Sequence, residues 1–326
     1  MLAALALGAT AAAAAPPSPW QRATESPDAA QAQAAYDAAM LEGDDQVALA
    51  IESEIREQRV RLIDAALAAY DRAALARPDL AEPRWRAAAV VFAFYVECAP
   101  GRASLCRDPP RKVDAERLIA YWDAAERIAP LDPRLTDRAL FARAILHTKL
   151  ATAEHLRAAA ADYRALLDRT RGDARTDVLS SGPSERALVL GNLAETYMML
   201  GDLDQAILTY RESLRISPEL SRAFGLAVAL NRDEQPGAAA EVLRAQGPGA
   251  VGKFIDEIDS GRVFFVPAGE VSYYLGLGAE FEGDDVMALE HFEAFIKSGA
   301  HPRYAGRARA HVTALAARIA RRVRSR

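Results

Sequence analysis

The chain is poor in the residues that build sheets, disulfide frameworks and membrane spans. Among its 326 residues are two cysteines, 7% aromatic residues, and four lysines beside 36 arginines. Because aromatic and β-branched residues favour strands, their scarcity argues against a large β-sheet. Apart from the alanine-rich start, no apolar run approaches the roughly 20 residues that a transmembrane helix needs. The sequence therefore disfavours sheet folds and predicts no transmembrane helix.

Alanine dominates what is present. The chain has 72 alanines, 51% hydrophobic residues and a net charge of −5. This composition is far from the weakly hydrophobic, highly charged class that stays disordered, so we expect the chain to fold, and to fold as an all-α protein. The pI near 5.7 gives no reason to expect nucleic acid as a partner.

The amino terminus has the composition of an export signal. Residues 2–15 form an uncharged run of small and apolar residues that ends at Pro16 and Pro17. Such a run is typical of a signal-peptide hydrophobic region and is too short to span a bilayer, although the usual basic start is missing. We predict a signal peptide over 1–18, a linker over 19–27, and a periplasmic or secreted protein. The alternative is a flexible alanine-rich tail on a cytoplasmic protein.

The two cysteines lie close together in the chain. Cys98 and Cys106 fall in a segment rich in proline and glycine between two helical patterns. A bond between them would close a short loop and stabilise the fold by roughly 2 to 3 kcal/mol. It would also fit an oxidising compartment. Two unrelated thiols are the alternative, and a metal site would lack further ligands nearby.

The clearest pattern is a helix hairpin over residues 187–218. Apolar residues recur three or four apart along each of two helices, Gly201 separates the helices, and Pro218 ends the second. The residues of the pattern are Leu190, Leu193, Ala194, Tyr197, Gly201, Ala206, Tyr210 and Pro218. In these residues the segment resembles the tetratricopeptide repeat family, whose signature has this spacing.

The same frame returns elsewhere in weaker form. Residues 221–246 follow one period of about 34 residues later, and Glu282–Asp285 marks the turn of a further hairpin. Glu42–Asp45 repeats that turn near the start of the chain, and second helices are predicted around Tyr70, Trp122 and Tyr163. The resemblance implies a right-handed superhelical solenoid of about five or six degenerate hairpins over 28–303, separated by insertions.

Residues 247–267 form one of these insertions. Gly247–Phe254 has the glycine and lysine spacing of a phosphate-binding loop, but Phe254 stands where a hydroxyl should hold magnesium and no strand precedes it. We therefore interpret it as a flexible loop. Arg262–Pro267 carries four consecutive apolar residues, which we expect to fold onto the groove of the solenoid or to form part of a partner site.

No catalytic or metal-binding motif emerges. The five histidines include no spacing typical of zinc, so we expect no cofactor and no enzyme activity. Residues 304–326 contain seven arginines and no acidic residue. They predict a capping helix through Ile319 with a basic tail, which either touches an anionic surface weakly or is a solvated terminal turn.

In the tetratricopeptide repeat family, partners bind a concave groove lined by first-helix residues at fixed offsets. The offsets and their border fall on Asn192, Glu195, Met198, Met199, Arg222, Arg232, Tyr273 and Glu280. Methionine, tyrosine and charged groups suit an extended peptide or a partner helix. The resemblance thus implies a non-enzymatic interaction scaffold in the cell envelope, of unknown oligomeric state. The alternatives are a self-associating envelope component and an enzyme or small-ligand receptor on the same scaffold.

Thiol labelling tests the proposed bond and the export hypothesis together. On protein isolated from its host, we expect Cys98 and Cys106 to react with a maleimide only after reduction, because a disulfide removes both thiolates. Mass spectrometry of the labelled peptides gives the result. Labelling of both cysteines without reductant would weaken the case for export.

Overall fold

The structure of the protein, a computed structural model, describes residues 27–96, 105, 111–128, 133–169, 183–259, 263, 265 and 267–324. Every regular element in these ranges is helical, so the expected all-α class is confirmed. The α-helices of the described ranges, in chain order, are α1 Pro27–Glu52, α2 Arg56–Ala76, α3 Glu82–Val91, α4 Lys112–Glu126, α5 Pro133–Leu150, α6 Ala153–Arg169, α7 Pro183–Leu200, α8 Leu203–Ile216, α9 Leu220–Arg232, α10 Pro236–Arg244, α11 Ala250–Asp259, α12 Val271–Glu282, α13 Asp285–Ser298 and α14 Ala305–Arg324.

Three short turns complete these elements. A π-helical turn, Phe92–Val96, continues α3, and 3₁₀ turns at Ala268–Glu270 and Pro302–Tyr304 precede α12 and α14. The signal peptide predicted over 1–18 and the two cysteines lie outside the described residues. So does the predicted linker, except for its last residue, where α1 begins. None of the described helices has the length and apolar composition needed to cross a bilayer.

The chain divides into two compact units, Met1–Pro133 and Arg134–Arg326. Within each unit the helices pack mainly against their neighbours in sequence, as expected for consecutive helix hairpins. The array predicted over 28–303 extends over parts of both units.

In the first unit, α1 and α2 form an antiparallel pair. Arg72 binds Glu42 at 2.6 Å near the middle of the pair, and Arg59 donates to the carbonyl of Ala50 at 3.2 Å near its end. The turn predicted at Glu42–Asp45 is wrong, because α1 continues through these residues to Glu52.

The contact of Gly43 with Tyr70 explains why residues 42–45 resemble a turn but form part of a helix. A β-carbon on Gly43 would lie 2.5 Å from Cε1 of Tyr70, so the glycine leaves room for the tyrosine ring. The Tyr70 hydroxyl then donates to Oδ1 of Asp44 at 2.7 Å. The glycine here permits close packing of two helices rather than a left-handed backbone.

In the second unit, the hairpins predicted from the repeat pattern are present. Gly201 has φ of +79° and Gly283 has φ of +84°, the left-handed conformation that ends a helix. The following aspartates cap the next helices: Asp202 accepts from the amide of Gln205 at 3.3 Å, and Asp284 accepts from that of Met287 at 3.0 Å. The helix pairs α7–α8 and α12–α13 are therefore built in the same way.

Helix α9 is the centre of the second unit. All residues from Arg222 to Arg232 are buried. Its close contact with α8 depends on Gly225, where a β-carbon would lie 2.4 Å from Cζ of Tyr210. Because the ring of Tyr210 rests on this glycine, any larger residue would push α8 and α9 apart.

The insertion predicted as a loop around Gly247–Phe254 is instead helical. Residues 250–259 form α11, and Phe254 is fully buried with its ring stacked on Phe224 at 4.2 Å between centroids. Ala250, Val251 and Phe254 share one buried helical face. The glycines at 247, 249 and 252 made this helical pattern hard to recognise in the sequence. Lys253 lies within a helix rather than on a phosphate-binding loop.

The predicted capping helix is present and longer than expected. α14 runs to Arg324, five residues beyond Ile319, and packs against α13 through buried Ala308 and Leu315. Arg318 binds Glu280 at 2.8 Å, and Arg322 binds Asp285 at 2.8 Å. Part of the predicted basic tail is thus held in ion pairs on the protein surface.

A pair of glycine substitutions tests the packing around α9. Gly225→Ala should lower the free energy of unfolding by about 1–3 kcal/mol, because the new methyl overlaps the Tyr210 ring. Gly252→Ala is the matched control: it lies in α11 with no atom near the added carbon and should stabilise by about 0.4–1 kcal/mol. Urea unfolding followed by circular dichroism gives both values. Equal effects of the two variants would contradict this role of Gly225.

Candidate functional site

A small pocket in the second unit brings together part of the predicted groove. Its volume is about 140 Å³. Five of its residues come from α7 at positions 188, 191, 192, 195 and 199, which lie along one helical face. The lining residues are Thr148, Tyr163, Leu188, Gly191, Asn192, Glu195, Met199, Tyr210, Glu219, Ser221, Arg222, Phe254, Val263, Phe265 and Tyr274. Asn192, Glu195, Met199 and Arg222 were predicted from the sequence.

Glu195 is the central polar group of this pocket. Tyr210 donates a hydrogen bond to its Oε2 at 2.6 Å, and Tyr274 donates to the same oxygen at 2.7 Å. Within the described part of the chain, Oε1 has no protein hydrogen-bond partner. Burial raises the pKa of Glu195, and the two hydroxyls oppose that effect without cancelling it.

The two tyrosines remain protonated donors. Burial raises the pKa of Tyr210 and of Tyr274 well above the ordinary value of 10.0, and the charge of Glu195 raises both further. Each tyrosine is almost fully buried. Tyrosines from two different helices, α8 and α12, therefore hold Glu195 through one carboxylate oxygen.

Aromatic rings form the rest of the pocket wall. Phe265 lies 4.9 Å from Tyr274 and 6.3 Å from Phe254 between ring centroids. Phe254 and Tyr274 are buried, whereas Val263 and Phe265 are partly exposed. Val263 and Phe265 belong to the segment expected to fold onto the groove or to form part of a partner site, and they line the pocket together with Asn192, Glu195 and Met199.

Arg222 closes one side of the pocket with its charge already compensated. Its Nη2 binds Oε2 of Glu219 at 2.7 Å, and its Nη1 donates to the carbonyl of Ser217 at 2.8 Å. The aliphatic stem lies over Gly191, where a β-carbon would be 3.3 Å from Cδ of Arg222. The backbone of α7 thus supports the arginine stem directly.

The other predicted groove residues are not available to a partner in this structure. Met198 and Tyr273 are fully buried. Tyr273 packs edge-on against Phe292 and Phe295, while Tyr304 covers Met198 and donates to its carbonyl at 3.3 Å. The prediction assumed an open groove, but the chain before α14 returns across this face and fills it.

Arg232, also predicted for the groove, belongs to a buried ion pair. Its Nη2 binds Oε2 of Glu270 at 2.6 Å, and the exposed fractions of the two side chains are 1% and 2%. His301 lies with Nδ1 2.7 Å from the other carboxylate oxygen. The guanidinium is stacked between Tyr273 and Tyr304, at 4.4 and 4.1 Å from the ring centroids, which further stabilises the cation.

The surroundings of Glu270 lower its pKa. Burial alone would raise it, but the charge of Arg232 and the hydrogen bond with His301 together hold it below the ordinary value of 4.5. A carboxylate in this position stays ionised and keeps Arg232 compensated.

Glu280 is held in a second cluster, whose side chains are partly buried. Its Oε2 lies 2.6 Å from Nδ1 of His311, and its Oε1 accepts from Arg318 at 2.8 Å. Nε2 of His311 lies 3.0 Å from Oδ1 of Asn231, which also accepts from the Tyr273 hydroxyl at 2.8 Å. This chain of contacts joins α9, α12 and α14, so Glu280 serves the docking of α14 rather than a groove.

Apart from the segment that contains Phe265, the sequence predictions missed the aromatic residues of the pocket. The family offsets assigned Tyr273 to the groove, whereas its neighbour Tyr274 lines the pocket. Consecutive residues on a helix point in directions that differ by about 100°. Phe254 was assigned to a loop, and Tyr210 was considered only as a packing residue. Within the described ranges, no cluster of three His, Cys, Asp or Glu side chains is placed to hold a metal ion.

The fold and the pocket define an all-helical protein whose consecutive hairpins carry a small acidic pocket with aromatic walls. No model of a known protein family matches the chain, and no curated protein matches it either. The function therefore has to be argued from the residues of the site.

Removing the Glu270 charge should unfold the second unit more easily. Glu270→Gln leaves Arg232 buried without a counter-charge, and we expect a loss of about 3 kcal/mol in the free energy of unfolding at neutral pH. Chemical denaturation followed by circular dichroism measures it. The double variant Arg232→Met/Glu270→Leu should recover much of the loss, since it buries no charge.

The pH dependence gives a second readout. A depressed carboxyl pKa contributes stability that is present above the unfolded pKa and lost as pH falls through the folded pKa. The stability difference between wild type and Glu270→Gln should therefore be full above the ordinary value of 4.5 and shrink on acidification below it. A difference independent of pH would contradict the ion pair.

Proposed function

We propose that the protein is a non-enzymatic interaction protein of the tetratricopeptide type, with the second unit binding a peptide or helix of a partner protein around the pocket. The observation that carries this proposal is the shared location of Asn192, Glu195 and Met199. The family offsets place Glu195 and Met199 on a partner-binding face with Asn192 at its border, and all three residues line one pocket.

The size of the pocket supports a protein partner. At about 140 Å³ it is smaller than the roughly 300–1,000 Å³ typical of sites for drug-sized ligands. It suits a single side chain, with the rest of the binding surface supplied by residues around it. Leu188, 38% exposed, offers apolar area beside the pocket, as expected for a residue that contacts an extended chain.

The composition of residues 2–15 supports a proposal for the cellular location. The alanine-rich run over 2–15 supports export, so we propose that the partner is found in the cell envelope and that the described hairpins belong to a right-handed solenoid. Cytoplasmic location is the alternative, and the thiol-labelling experiment separates the two.

Self-association is a second candidate because of the first unit. Leu49, Ile51 and Ile55 lie near each other in sequence at the junction of α1 and α2, and each is at least half exposed. Clustered apolar side chains on a surface favour protein contacts. Light scattering tests this candidate, since a monomer at high concentration would contradict it.

A matched pair of surface variants tests the proposed partner site. Leu188→Glu should lower the recovery of crosslinked partner in the native host several-fold, because a charge at the pocket opposes burial of the interface. Leu208→Glu is the control: Leu208 is 58% exposed on α8 of the same unit and does not line the pocket. Crosslinking with quantitative mass spectrometry measures both. Equal recovery with the two variants would contradict a partner site around this pocket.

A further inference from the structure

The pocket contains one acidic group, Glu195, that has no ionic partner among the described residues. Of the three charged residues in the lining, Arg222 and Glu219 neutralise each other at 2.7 Å. Glu195 receives only neutral tyrosine hydroxyls, both on Oε2. The nearby Arg232 already binds Glu270 at 2.6 Å. A guest that binds Oε1 would therefore be favoured if it carried a positive charge and a hydrogen-bond donor.

The walls favour the same kind of guest. Five aromatic residues line the pocket, from α6, α8, α11, the segment before α12 and α12 itself: Tyr163, Tyr210, Phe254, Phe265 and Tyr274. Aromatic rings attract cations through their negative faces and give an anion no such stabilisation. The apolar surface of Leu188 and Met199 can cover a hydrocarbon stem that leads to the charge.

The volume limits the guest to a small group. About 140 Å³ accommodates the end of one side chain rather than a larger molecule. Among protein side chains, only lysine and arginine combine an apolar stem, a positive charge at neutral pH and several donors.

We propose that the Glu195 pocket binds a primary ammonium or guanidinium group on an apolar stem, contributed by a lysine or arginine side chain of the partner. This inference rests on the proposed function, because it names the side chain by which a partner peptide is anchored. The ionised Oε1 accepts from the cation, Tyr210 and Tyr274 keep the carboxylate in place, and Phe265 covers the stem.

Methyl NMR of methionine tests the ligand class without knowledge of the partner. The full chain labelled at methionine Cε has a reporter in the pocket at Met199 and an internal reference at Met198, which is fully buried. We expect n-butylammonium and n-butylguanidinium to shift the Met199 signal saturably in the millimolar range and to leave Met198 nearly unchanged. Neutral n-butanol, which has a similar shape, should shift it much less. Equal binding of n-butanol would overturn the inference.

Two variants locate the interaction. Glu195→Gln should weaken n-butylammonium binding at least about tenfold, equivalent to 1.4 kcal/mol, while its amide oxygen still accepts from both tyrosines. Glu241→Gln, the same change at an exposed position of α10 outside the pocket, should bind as the wild type does. The Met198 signal and the thermal midpoint check the fold. Unchanged binding by a folded Glu195→Gln variant would overturn the inference.

A comparison of a lysine peptide with n-butylammonium tests whether the pocket binds a protein side chain rather than a free amine. An acetylated and amidated alanine pentapeptide with a central lysine should bind more tightly than n-butylammonium, and its norleucine counterpart should not bind. Tighter binding of the free amine than of the lysine peptide would overturn the assignment to a partner side chain. If Leu188→Glu abolishes crosslinking of the partner while Glu195→Gln does not, the inference fails and the proposed function stands.

Discussion

The second unit depends on helix α9 having no side that faces water. Its residues from Arg222 to Arg232 are all buried, so its polar side chains depend on partners from other elements of the protein. Arg232 is paired by Glu270, and Asn231 is met by Tyr273 and His311. These partners come from α12, the turn before it and α14, so elements distant in sequence are held in place by the polar end of one helix.

The same constraint explains why part of the predicted groove is closed. A solenoid whose last helices ended on a free surface would leave Arg232 and Met198 open to a partner. Here Tyr304 stacks on Arg232 and bonds to the backbone at Met198. A buried ion pair is expensive to form unless further contacts support it. Here His301 binds the second oxygen of Glu270 and the rings of Tyr273 and Tyr304 flank the guanidinium, although Nε of Arg232 has no hydrogen-bond partner among the described residues. The predicted groove residues that line the pocket, Asn192, Glu195, Met199 and Arg222, are not covered in this way.

The sequence predicted features that depend on residues close together in the chain better than features that depend on distant residues. The turns at Gly201 and Gly283 and their aspartate caps were predicted because a helix end is specified by a few neighbouring residues. The turn expected at Gly43 was not formed, because its glycine serves contact with Tyr70, which lies 27 positions away and leaves no local mark. The family offsets gave Glu195 and Met199, with Asn192 at their border, and these three residues line one pocket. The offsets could not show that Tyr273 is covered, since that depends on the return of residues 302–304 and α14 over the same face.

The manner in which Glu195 is held has a further consequence. Both tyrosine hydroxyls bind the same oxygen, so the carboxylate cannot rotate freely and its second oxygen presents its lone pairs in one fixed direction. Carboxylates on mobile surface chains accept donors from almost any angle, and they discriminate by charge alone. A carboxylate that is held at one oxygen also discriminates by the angle of approach. A cation that approaches Glu195 from the side of Oε2 meets only the two tyrosine hydroxyls, whose protons already bind that oxygen.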